Sequence, residues 1–187
     1  MREPALQPER ESLSTLLGRV HDLGREAIAP HAEAVDREGR FPEEAFRALK
    51  DARLLSCYVP TELGGMGLSI ADLSKLCEVL AGYCGSTAMI FAMHQIQVAC
   101  IVHHALGSAT FRDYLRDLVR HQYLLASATT ELGIGGDVRS SLCAVAVTDG
   151  RFTLEKQAPV ISYGEAADAI LATCRSSPEA GRSDQSH

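Results

Sequence analysis

With 187 residues the chain is long enough for one substantial core, or for a domain and part of a second. Hydrophobic residues make up 46% and charged residues 22%, which excludes a disordered chain, and a net charge of −6 argues against a nucleic-acid or anionic-membrane surface. The six cysteines form no C-x-x-C pair, and Met1-Arg2-Glu3-Pro4 has no apolar signal core. Neither a disulfide framework nor a metal site is therefore expected, and the expected compartment is the cytoplasm.

Residues 9–29 repeat apolar side chains at Leu13, Leu16, Leu17, Val20, Leu23, Ala27 and Ile28, the spacing of an amphipathic helix that Pro30 should end or kink. Phe41-Pro42-Glu43-Glu44 restarts a helix with proline first and acids in its first turn. Ser56 to Val59 reads as extended. The run Pro60-Thr61-Glu62-Leu63-Gly64-Gly65-Met66-Gly67-Leu68 reads as a glycine-rich turn, with an anion-binding nest as the less favoured alternative. Ser69 and Asp72 form a capping-box-like start to a helix reaching about Ala81. From Ser86 to Leu106 the chain is apolar nearly all round, with Gly107 placed as a C-cap. Its length would cross a bilayer, but His94, Gln95 and Gln97 interrupt it centrally, so a buried core helix is expected. His94 reads as a hydrogen-bonded core or pocket residue, with His103 and His104 at the helix end. Ser108 then caps a further amphipathic helix through residue 122.

After residue 122 the periodicity changes. Leu124 to Thr130 is apolar and β-branched with small residues between, which suits a mostly buried strand. Gly133-Ile134-Gly135-Gly136-Asp137 follows as a flexible crossing where backbone can approach a ligand. Neither a dinucleotide fingerprint nor a Walker loop fits these glycines, and locally an ordinary hairpin or crossover loop is sufficient. Leu142–Val147, Phe152–Leu154, Pro159–Ser162 and Ala169–Thr173 read as further strands, with Asp149-Gly150 as a hairpin signal. The polar stretch from Ser176 onward is expected to be disordered. The expected architecture is α+β: an all-α domain over 1–122, a β-domain over 123–175 and a tail over 176–187.

Thr129-Thr130-Glu131-Leu132-Gly133-Ile134-Gly135-Gly136-Asp137 resembles the threonine–glutamate–proline–glycine–x–glycine–serine–aspartate segment of acyl-CoA dehydrogenases. Pro60 to Gly67 resembles their proline–glutamate–x–glycine–glycine–x–glycine turn. The resemblance covers roughly residues 10–175. It implies an N-terminal helical domain followed by the start of a middle, antiparallel β-domain, with the C-terminal bundle not encoded and this chain inactive alone. It also implies FAD as cofactor, an acyl-CoA thioester as substrate, α,β-dehydrogenation as reaction, electron-transfer flavoprotein as partner, and homo-oligomeric assembly.

Position by position, Ser127 begins the flavin-contacting stretch, and Thr129 and Thr130 match the residues meeting the pyrimidine edge of the ring. Gly135 and Gly136 carry the close-approaching backbone, and Gly136 stands where the family has a serine touching flavin or thioester. Ser162 matches a threonine near flavin N5, and Val160 matches an aromatic residue lying against the ring. Ala88, Met89 and Ala92, with Gly136, are the expected substrate-side lining. Leu132 replaces proline and Tyr163 replaces asparagine or serine. No catalytic residue and no metal ligand is assigned, because Glu131 and Asp137 read as residues that order the turn. Two alternatives stand beside this reading: a flavin-dependent monooxygenase of the same fold, and a non-catalytic helical interaction module.

Overall fold

The computed structural model describes residues 11–181 and 185–186, so the N-terminal tetrapeptide and residues 9–10 of the expected first helix lie outside the described residues. Helix α1 (Leu13–Leu23) starts where the Ser12 hydroxyl accepts the Thr15 amide at 3.1 Å. It does not stop before Pro30. A π-turn over Gly24–Ile28 widens the backbone register, the Ala29 amide reaches the Gly24 carbonyl, and α2 (Ala29–Glu38) carries Pro30 in its first turn. Proline's missing N–H is absorbed there without breaking the rod. Gly39, at φ +62°, then ends α2.

Helix α3 (Glu43–Asp51) buries Ala45, Phe46 and Leu49. The segment after it, expected to be extended from Ser56, is instead a run of tight turns, with 3₁₀ turns at Leu54–Ser56 and Thr61–Leu63. The glycine-rich turn folds back on these. The amides of Gly64, Gly65, Met66, Gly67 and Leu68 donate to the carbonyls of Thr61, Pro60, Ser56, Val59 and Cys57 at 2.9–3.3 Å. The donors an anion nest would need are thus used internally. Gly65 is required by crowding, since a Cβ there would lie 2.1 Å from the Val59 carbonyl oxygen.

Helix α4 (Ile70–Ala81) opens on a full Ser69–Asp72 capping box. Helix α5 (Gly85–His104) ends at Ala105, short of the expected Gly107, and α6 (Ala109–His121) begins after Ser108 without a side-chain cap bond. Helix α5 packs on α4, the 54–56 turn and a strand, burying Phe91, His94, Val98 and Ile101. It is long and apolar enough to cross a membrane by length and composition. It is not enclosed as expected, for Met89 and Ile96 on its other face are 63% and 57% exposed. One apolar cluster joins α1–α5, and a second joins α5, α6 and the first strand.

Strand β1 (Leu125–Ala128) pairs in parallel with β4 (Ala169–Ala172), Leu125 opposite Ala169 through Ala128 opposite Ala172. This one pairing differs from the antiparallel order expected, because the 40 residues between the strands act as a crossover; the other two pairings described are antiparallel. Strands β2 (Ala146–Thr148) and β3 (Arg151–Thr153) form the expected hairpin on Asp149-Gly150, at φ +52° and +71°. Pro159–Ser162 is not a strand. Proline offers no ladder donor, the Val160 carbonyl is taken by Thr130, and Gly164 turns back onto the Ile161 carbonyl. The tail is ordered where described: β5 (Cys174–Arg175) pairs antiparallel with β6 (Gln185–Ser186), and the Arg175 guanidinium holds the carbonyls of Pro178 and Ala180. Residues 182–184 and 187 lie outside the described residues.

Candidate functional site

Strand β1 is fixed to the helices by buried polar side chains. The Leu125 amide donates to His94 Nδ1 at 3.0 Å, and His94 Nε2 donates to the Leu55 carbonyl at 2.7 Å. One acceptor and one donor partner define a neutral ring, and burial pulls its pKa down to about 4. The Asp168 carboxylate accepts from the Leu124 amide at 2.7 Å and from Lys50 Nζ at 3.0 Å, tying the start of β1 to α3 and the start of β4. His103, at the exposed end of α5, pairs through Nε2 with the Tyr58 hydroxyl at 2.6 Å.

At the far end of β1 the expected flavin residues separate into two groups. Ser127 and Thr129 are half-buried. Thr130 is exposed, and its hydroxyl donates to the Val160 carbonyl at 2.7 Å, so it clasps the 157–160 segment rather than presenting a free donor. The Leu132 amide adds a second bond to that segment at the Gln157 carbonyl, 3.0 Å away. Gly133, Gly135 and Gly136 all adopt positive φ, and the Cβ positions of Gly135 and Gly136 face open space. Val160 is 63% exposed. Asp137 accepts the Arg139 amide at 3.1 Å and shapes the loop exit.

Glu131 is buried beneath this loop. Its carboxylate accepts from Ser141 Oγ at 2.8 Å, the Leu142 amide at 3.1 Å, the Cys143 amide at 2.7 Å and Lys156 Nζ at 3.0 Å. Burial alone would push its pKa up. The hydrogen bonds from Ser141, Lys156 and the two amides outweigh that and hold it at about 2. A buried carboxylate with four donors on it orders the turn.

The second group gathers around a cavity of about 620 Å³ between α2, the 39–42 connection that follows it, α5 and the 162–163 segment. Ser162 and Met89 both line it, along with Phe41, Met93, Arg40 and Tyr163. Thr129, Thr130, Gly135, Gly136 and Val160 are not among its walls. Ala88 turns into the core at 6% exposure, while Ala92 is half-buried. Arg40 is held by both oxygens of Glu44 at 2.9 and 3.0 Å, which keeps the Glu44 pKa at about 2. Tyr163 sits at φ +45°, a conformation that asparagine tolerates and tyrosine resists. Its hydroxyl donates to the Leu125 carbonyl at 2.9 Å, and burial pushes its pKa up to about 12. The sequence reading missed Lys156. Its signal was phase: it follows Leu154 by two residues, placing a charge where the alternation predicts an inward side chain.

Residues 10–122 match the family profile described as acyl-CoA dehydrogenase, N-terminal domain. Among curated relatives, the chain is 27% identical over 165 residues to mitochondrial isovaleryl-CoA dehydrogenase of Oryza sativa subsp. japonica, covering 87% of this chain and 40% of that protein. It is 28% identical over 173 residues to cyclohex-1-ene-1-carbonyl-CoA dehydrogenase of Geobacter metallireducens, covering 91% and 45%. Butyryl-CoA dehydrogenase from Megasphaera elsdenii superposes with a TM-score of 0.76 at 23% identity, covering 94% of this chain and 46% of that one. Methanesulfinate monooxygenase MsuC from Pseudomonas fluorescens superposes with 0.73 at 20%, covering 87% and 40%. These last two likenesses concern fold alone. The chain spans less than half the length of these relatives. On the match across 10–122, which takes in every α-helix among the described residues, the chain belongs to the acyl-CoA dehydrogenase family.

Proposed function

We propose that the protein is an FAD-dependent acyl-CoA dehydrogenase, oxidising an acyl-CoA thioester between its α and β carbons and passing electrons to an electron-transfer flavoprotein. The observation that carries this reading is the shared hollow. Ser162, matched to the flavin side, and Met89, expected as substrate-side lining, line one cavity of about 620 Å³. That volume is in the range of small-molecule sites. Phe41, Met89, Ile90 and Met93 offer an apolar wall for an acyl chain, and the Ser162 hydroxyl offers a donor to a polar ring edge.

FAD would supply the redox chemistry by accepting the β-hydride. The residues of this chain would bind and orient it: Ser162 toward the ring, the backbone around Ser127 and Thr129 at the strand end, and the Gly135-Gly136 backbone by close approach. Thr130 contributes through its hold on Val160. No catalytic base is assigned, since Glu131 is fully engaged and Asp137 shapes its turn. Fold likeness alone does not divide dehydrogenases from monooxygenases. The curated sequence relatives named above are dehydrogenases, which favours the dehydrogenase.

The test is titration of the chain with FAD, and separately with FMN, followed by the visible flavin spectrum. Saturable binding with preference for FAD is expected, and Ser162→Ala should weaken it by about fivefold, the worth of one neutral hydrogen bond. Absence of saturable FAD binding, or a Ser162→Ala chain that binds as tightly as the parent, would overturn the reading.

A further inference from the structure

The glycine loop 132–140 leaves the body of the protein at Glu131 and re-enters at Ser141, and a single buried ion pair closes its base. Glu131 and Lys156 side chains are 4% and 7% exposed, and their charges meet at 3.0 Å. From the entry residue, the Glu131 carboxylate takes the hydroxyl of Ser141 and the amides of Leu142 and Cys143, which are the first three residues of the exit. Lys156 carries the connection onward. Its ammonium donates to the Thr173 carbonyl at 3.0 Å, and the Thr173 amide reaches the carbonyl of Ala128, the last residue of β1, at 3.3 Å. Between these anchors most of the loop is exposed and three of its glycines take positive φ. The bonds within 134–140 are short-range turns that shape the loop but do not fix it to the strands, so its placement is set at its ends, by the Leu132 amide on the Gln157 carbonyl and by the Glu131 carboxylate.

We infer that Glu131 and Lys156 are positioning residues that lock the base of the 132–140 loop against the ends of β1 and β4, and so set where the Gly135-Gly136 backbone meets a bound flavin. The flavin part rests on the proposed function, whereas the loop part does not. Neither residue touches the cofactor, and their effect passes through the loop backbone. Burial makes the pair unforgiving, because removing one member strands the other's charge without solvent.

The experiment uses the whole chain with Glu131→Gln, Lys156→Met and Lys156→Arg. Amide hydrogen exchange across 132–143 reads the loop, exchange across α4 and α5 reads the helical core, and FAD titration reads the site. In Glu131→Gln and Lys156→Met, faster exchange confined to 132–143 and FAD binding weaker by about tenfold or more are expected. Lys156→Arg should recover much of both. If the parent chain binds no FAD while the loop exchange still responds as described, the proposed function fails and the lock stands. Unchanged loop exchange in Glu131→Gln and Lys156→Met would overturn the lock. So would equal loss of protection throughout α4 and α5, which would make the pair a general stabiliser of the fold.

Discussion

His94 gives the protein an acid limb of stability that can be separated from its carboxylates. The ring is fully buried, donates to Leu55 O and accepts from the Leu125 amide, and its pKa falls from 6.5 to about 4. Desolvation is the main cause. The Leu55 carbonyl opposes it, Lys50 adds to the depression and Asp168 opposes it. Because the folded pKa lies below the unfolded one, the unfolded chain binds the extra proton between them. Stability from this group is complete above about pH 6.5 and is lost as the pH falls toward 4. At about 1.4 kcal/mol per pH unit, the fall from 6.5 to about 4 amounts to roughly 3–4 kcal/mol over the window. Glu44 and Glu131, each held at about 2, behave differently: their contribution is complete above the ordinary carboxylate pKa of 4.5 and is lost below it. The interval from pH 6.5 to 4.5 therefore isolates the imidazole. Urea unfolding followed by far-ultraviolet circular dichroism suits a helical chain with no tryptophan. The parent should lose stability most steeply near pH 5, with a slope of about 1 kcal/mol per pH unit. His94→Gln should begin less stable by about 1–3 kcal/mol at neutral pH and show a flatter slope. Equal slopes in parent and variant would refute the reasoning, since no other feature of His94 imparts that pH dependence.

Gly65→Ala should destabilise by about 1–3 kcal/mol, because the new methyl group meets the Val59 backbone and cannot be relieved by a rotamer change. The control is Gly18→Ala in α1, where a Cβ meets nothing within 4 Å; it should stabilise by about 0.5–1 kcal/mol, and the pair is read by the same urea titrations. Tyr163→Phe, which removes the bond to the Leu125 carbonyl while keeping the ring, should cost about 1 kcal/mol in thermal or urea unfolding; no loss would show that packing alone holds the left-handed residue.

Much of the helical half was legible because its signals are local. The Ser69–Asp72 box, the Asp149-Gly150 hairpin and the apolar phase of α1, α3 and α6 are each written within a few residues. What could not be read depends on partners distant in sequence. Pro30 looks like a helix breaker until the π-turn before it supplies the compensating register. Pro159–Ser162 has strand composition but spends its Val160 carbonyl on Thr130, thirty residues earlier. The parallel pairing of β1 with β4 follows from a crossover that no local pattern announces. At the candidate site, resemblance proposed most of the residues but not how they would be grouped. Ser162 and Met89 share a hollow, whereas Thr130 closes a clasp instead.

The same dependence explains why the helical domain and the strand that starts the site are mechanically one piece. The turn at Leu54–Ser56 buries backbone groups that neither helix nor sheet can satisfy, so side chains do it. Gln95 donates to the Leu54 carbonyl, His94 to the Leu55 carbonyl, and the Gln122 amide oxygen accepts from Leu55 N–H. Gln122, at φ +54° beyond the end of α6, also donates to Ser56 and to the Val119 carbonyl. A buried polar group without a partner costs about 1–3 kcal/mol, so each of these side chains is held where it stands. His94 has one remaining ring nitrogen, and the Leu125 amide takes it. The position of β1 is thereby set by the same residues that satisfy the turn. A loosened turn would move the strand end bearing Ser127 and Thr129 while leaving the apolar faces of α1, α3 and α4 in place. The energetics of the polar hub, more than the size of the core, decide how well the candidate site is preorganised.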